Sequence, residues 1–227
     1  MAKMTVEGCI NAAVRLLNQY SIAGTLVPLS YNDQADDIAR MVDLINDAQM
    51  EIATVARPVY ADMEFVVPEV SPNAPLVDVS VEMPDDFNHP TSVTFTPLKG
   101  RDRRTIDAPE YKWIGNDTIL VPNKPAGTYR VEYNRWPVRY DTNIIEMTDP
   151  ERAALMATEL DNTPDTHEII PYFVAAMVAL DDNPKAYSAL YNVWETRLAR
   201  LNMKPAHAER TIIEDVYGFG DFHGVWG

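Results

Sequence analysis

The stretch Val77-Asp78-Val79-Ser80-Val81-Glu82-Met83 alternates apolar and polar residues without a break. In an extended chain this puts Val77, Val79, Val81 and Met83 on one face, which specifies a half-buried strand. The same period of two governs the surrounding segment, from about residue 60 to 148. Met63, Phe65 and Val67 alternate ahead of it, and Val93 and Phe95 alternate after it. Trp113-Ile114 and Thr118-Ile119-Leu120-Val121 flank Gly115-Asn116-Asp117, predicting a hairpin with a short glycine-containing loop. Asn123-Lys124-Pro125-Ala126-Gly127 predicts a second turn, leading into Thr128 to Trp136 with Tyr129, Val131 and Tyr133 on one side. The pattern predicts an antiparallel meander. Its prolines belong at edges or strand ends, because proline has no amide to give to a ladder.

On both sides of this segment the period becomes 3.6. Val6, Ile10, Ala13, Val14 and Leu17 predict a helix over residues 5–21. A partly apolar loop follows (Ile22, Leu26, Val27, Leu29), marked by Gly24 and Pro28. Ile38, Met41, Ile45, Ala48, Ile52 and Val55 form one stripe over residues 33–56. Asn32 or Asp33 suits its N-cap and Asp36 and Asp37 its positive end; Arg57 falls in its last turn and Pro58 stops it.

Beyond 148, Thr148-Asp149-Pro150-Glu151 has capping-box spacing for a short helix at 150–158. Ile169 to Leu180 is almost wholly apolar and predicts a buried helix that begins near 168 or bends at Pro171. Asp181-Asp182-Asn183-Pro184 ends it and caps the next helix, residues 184–202. There Tyr187, Leu190, Tyr191, Trp194, Leu198 and Leu201 form the apolar face, with Arg197 and Arg200 near the negative end of the dipole.

The chain thus divides into a helical part at 1–60, an inserted antiparallel β part at 61–148, a second helical part at 149–202 and a tail at 203–227. A helical bundle with an inserted antiparallel β-sheet is of the α+β class. The tail is rich in glycine and aromatics, among them Tyr217, Phe219, Phe222 and Trp226. Two readings are open: an extended C-terminal arm that orders on a neighbouring subunit or partner, or a segment folded back on its own sheet. The arm is preferred, because a terminal segment orders only where it is tied down.

Lys and Arg number 19 against 34 Asp and Glu in 227 residues, a net charge of −15. That charge opposes neutralising nucleic-acid phosphates or docking on anionic membranes. No apolar run reaches the ~18 residues of a membrane span, and Met1 to Gly8 lacks the apolar core of a secretory signal. The single Cys9 excludes an internal disulfide and a multi-thiolate metal site.

Chemical signatures are missing. His89, His167, His207 and His223 stand singly and read as surface or interface residues rather than ligands. There is no Gly-x-Ser-x-Gly, no Walker loop and no Gly-x-Gly-x-x-Gly, and Asp33, Asp36 and Asp37 lack the rest of an EF-hand. The expectation is no catalytic residue, no metal and no cofactor. Asp36, Asp43 and Asp47 share one side of a helix and read as a solvated face ahead of an acidic stripe for a partner. Asp85-Asp86 reads as a turn, not a hydrolase acid, since neighbouring side chains diverge on a strand. Lys99, Arg101, Arg103 and Arg104 form the dense basic patch. It reads either as a contact for an acidic neighbour, such as another copy of the chain, or as a solvated hairpin tip.

Three stretches carry a family resemblance. The first is the order Val6 to Leu17, Ala35 to Val55, Met63 to Val67. The second is Val81-Glu82-Met83-Pro84-Asp85-Asp86-Phe87, followed by Ser92-Val93-Thr94-Phe95. The third is Glu168 to Leu180 with its partner helix Ala186 to Leu201, closing in Arg200-Leu201. Together they resemble head-to-tail connector (adaptor or neck) proteins of tailed bacteriophages, and the Gly-aromatic tail is similar to the C-terminal arm of tubular tail adaptors. The resemblance implies a non-enzymatic virion protein of the neck, assembled in the host cytoplasm. It implies a ring of about a dozen copies beneath the portal, with helices lining or supporting the ring and the β part facing outward or towards the tail. The partners implied are the protein itself, the portal protein and a tail or nozzle protein, with genomic DNA passing unbound and no membrane. Tyr217, Phe219, Phe222 and Trp226 are then the expected interface, with Arg101, Arg103 and Arg104 as a second contact. The competing reading is a β-rich tail or baseplate module recognising a sugar or protein through Trp113, Tyr129, Tyr133 and Trp136. Their alternation is that of core residues.

Overall fold

Two helices open the described chain, α1 (Val6–Tyr20) and α2 (Ala35–Val55). The computed structural model describes residues 3–20, 35–99, 105–108, 110–180 and 183–203. Asn32 and Asp33, the apolar loop after α1, Arg101, Arg103, Arg104 and the tail from 204 lie outside the described residues. Thr5 caps α1, its hydroxyl accepting the Gly8 N–H at 3.1 Å. The stripe Ile38, Met41, Ile45, Ala48, Ile52 is buried as its spacing requires. Val55, in the last turn, is 51% exposed, so the stripe outruns the helices packed on it.

α2 closes with the Arg57 N–H on the Ile52 carbonyl at 2.8 Å. Arg57, expected in the last turn, lies two residues past the end of the helix, and its side chain is buried and faces Asp165 at 3.5 Å.

Among the described residues seven strands follow: β1 (Val59–Val67), β2 (Asp78–Glu82), β3 (Phe87–Pro97), β4 (Ile106–Asp107), β5 (Lys112–Ile114), β6 (Thr118–Pro122) and β7 (Gly127–Arg135). The Gly115 turn between β5 and β6 has φ +64°, a conformation glycine adopts without strain. The expected single meander is not what forms. The strands make two antiparallel sheets, β1-β7-β3-β4 and β2-β6-β5. Both have one apolar face, and facing each other they bury both faces. Phe95, Tyr129, Val131 and Tyr133 from one sheet meet Ile119 and Val121 from the other in a common core. At Gly127 an added Cβ would collide with the Phe95 ring and the Thr96 carbonyl. Val77, just ahead of β2, is 55% exposed and so not part of that core. Pro97 and Pro122 end their strands, while Pro90 lies inside β3 between two register shifts, where β4 does not reach.

Three helices follow among the described residues: α3 (Asp149–Ala157), α4 (Ile170–Ala179) and α5 (Pro184–Met203). Glu151 reaches back to the Thr148 N–H at 2.8 Å, the predicted box. Asn183 caps α5 through the Ala186 N–H at 3.1 Å. α4 is the centre of the helical part, packed by α1, α2 and α5. Leu190, Trp194, Leu198 and Leu201 of α5 are buried, and Trp194 meets Phe173 of α4 with ring centroids 5.1 Å apart. Tyr187 and Tyr191 are only partly buried and stack on each other at 5.4 Å. The fold is α+β, with separate helical and sheet cores.

Candidate assembly interface

A polar joint holds the sheets to the helices. Arg135, the last residue of β7, forms two bonds with Asp161, at 2.7 and 2.6 Å. Asp161 also accepts the Val138 N–H at 2.7 Å. Burial alone would raise the Asp161 pKa, but the Arg135 and Val138 bonds and the guanidinium charge outweigh it and hold the carboxyl below its ordinary value. Next to it Asn46 of α2 reads the backbone of Tyr140 in both directions, donating to its carbonyl at 2.9 Å and accepting its N–H at 2.8 Å. Gln49 accepts the Asp161 N–H at 2.9 Å. The Tyr140 hydroxyl donates to the Glu159 carbonyl at 2.9 Å, and burial pushes its pKa up to about 12.

His167 belongs to this joint. It was expected at a surface or interface, yet it is 2% exposed. Its Nδ1 accepts the Met4 N–H at 3.0 Å, so Nε2 carries the proton and donates to the Asn162 carbonyl at 2.8 Å. The ring thereby pins the N-terminal stretch, which also bridges Thr5 to Glu159. One signal was available for the joint: Asn46 and Gln49 interrupt the buried stripe of α2, and a polar residue there must find a partner. Nothing local in the sequence marks Arg135, Asp161 or His167.

The exposed face of the four-stranded sheet is charged. Arg130 of β7 stands among Asp62 and Glu64 of β1 and Glu132 of β7, at 3.4, 3.9 and 4.0 Å. One guanidinium among several carboxylates leaves this face acidic. β1 pairs only with β7 among the described strands, so its other edge is free of a described partner. Tyr60 and Val66 flank the two carboxylates and are 56% and 62% exposed.

All seven residues expected at the interface, Tyr217, Phe219, Phe222, Trp226, Arg101, Arg103 and Arg104, lie outside the described residues. Lys99 is described and bonds Glu69 at 2.6 Å. Of the aromatics in the competing reading, Tyr129 and Tyr133 are core and Trp113 stacks on Phe87 at 5.5 Å. Trp136 is half-buried. They do not combine into an exposed platform. Asp85 and Asp86 occupy the predicted turn, where Asp86 accepts the Tyr133 hydroxyl at 3.2 Å. Asp36, Asp43 and Asp47 are exposed, Asp47 facing Arg139 at 3.5 Å. Cys9 is buried, which pushes its thiol pKa up.

Among the described residues no group of three or more His, Cys, Asp or Glu is placed to hold a metal, and no helix is long and apolar enough to cross a membrane. An open groove of about 480 Å³ on the smaller sheet sets Asp78, Glu110 and Lys112 around Tyr111 and Leu120. No curated protein matches the chain. The family model described as SU10 adaptor protein matches residues 4–212, from the strap before α1 to beyond α5. The chain therefore belongs to the SU10 adaptor protein family, a family of phage structural adaptors.

Proposed function

We propose that this adaptor forms a ring beneath the portal vertex, joins capsid to tail there, and lets the genome pass without binding it. It works by association, with no bond made or broken. The observation that carries this reading is the family match over nearly the whole chain. Charge supports the unbound passage of DNA: copies at −15 each repel phosphates when brought together. A ring needs a heterologous contact that closes, in which one surface of each copy meets a different surface of the next. The separate helical and sheet cores give each copy two surfaces of different chemistry for that purpose.

Electron cryo-microscopy of the native virion tests the proposal directly. The expected density is a closed ring of this chain between portal and tail. Density for it at a site remote from that vertex would overturn the reading.

A further inference from the structure

We infer that the edge of β1 left without a partner among the described strands is the docking strip for a second copy of this chain, which lays its basic β3–β4 connection along it. The inference rests on the proposed ring and names one of its contact surfaces.

The first ground is the edge itself. β1 is nine residues long and lies at one end of the four-stranded sheet. A long edge with exposed apolar residues invites a partner. It does not invite its own kind: antiparallel pairing of two β1 strands centred on Met63 would set Asp62 against Glu64, a like-charge pair.

The second ground is charge complementarity. The opposite end of the same sheet is β4, and the connection between β3 and β4 reads Lys99-Gly100-Arg101-Asp102-Arg103-Arg104-Thr105. Its two ends are described: Lys99 follows β3, and the Thr105 hydroxyl meets that of Thr96 at 3.0 Å. The sheet is therefore acidic at one edge and joined to the densest basic run at the other. That arrangement suits head-to-tail contact between copies, and copies that repel at −15 each need their few cations where they touch.

Charge reversal in the full-length protein tests this, read by sedimentation velocity across a concentration series at low and high salt. Asp62→Arg with Glu64→Arg reverses the edge, and Arg101→Glu with Arg103→Glu reverses the connection. The expected result is self-association of the wild type that salt weakens, and a loss of more than about tenfold in association for either double variant. Mixing the two double variants, or combining all four substitutions in one chain, should restore association. Circular dichroism melts matching the wild type keep misfolding out of the comparison. Two double variants that associate like the wild type overturn the docking strip while leaving the ring standing on another surface. So does a quadruple variant that does not regain association. A wild type that stays monomeric at all concentrations and salts also overturns it, and the ring itself is then decided separately in the virion.

Discussion

Asp161 shows what one side chain contributes when its partners come from elsewhere in the chain. Its carboxylate takes both arms of Arg135 and the Val138 N–H while only about a fifth exposed. Its folded pKa lies below the ordinary value, so its contribution is fully present above the unfolded carboxyl value of ~3.9 and is lost as pH falls through the folded value. The Asp161→Asn variant should lose about 2 kcal/mol at neutral pH, because it leaves a partly buried guanidinium with only Asp86, 4.0 Å away, as counter-charge. It should also flatten the stability profile below about pH 4. Urea denaturation at a series of pH values checks both, and equal midpoints at every pH would refute the assignment.

At the scale of elements, the joint depends on α2 holding the segment that leaves β7. Asn46 does this by occupying both backbone groups of Tyr140, which would otherwise be buried without partners. Asn46→Ala should cost about 2–3 kcal/mol, whereas Asp43→Ala, three residues earlier on the exposed side, should stay within ~0.5 kcal/mol. Thermal melts of the two variants make the comparison internal, and similar losses would mean that the clamp contributes nothing of its own.

For the whole molecule, the division between fold and attachment is the testable point. Both cores are built from described residues, the last of them Leu201. Deleting residues 212–227 should therefore leave the melting temperature unchanged. Under the proposed function it should also abolish attachment to portal-bearing capsids, because Tyr217, Phe219, Phe222 and Trp226 go with it. Co-sedimentation with purified capsids reads the outcome. Undiminished attachment would remove the arm from the contact.

Local pattern by itself determined where helix and strand fall. The alternation at 77–83, the stripe of α2, the Gly115 hairpin and the Thr148–Glu151 box each sit where the chain predicted, because periodicity and capping act over a few residues. The order of those elements was also enough to carry the likeness to phage adaptors. Only the tertiary structure decided that the strands split into two facing sheets rather than one meander, and that Arg57 and His167 are buried. It alone brought Arg135 to Asp161 and Asn46 to Tyr140, and it left β1 at an edge. The physical reason is range: a strand's neighbours and a buried polar group's partners come from distant parts of the chain, and burying both apolar sheet faces is a demand that no single strand's sequence expresses.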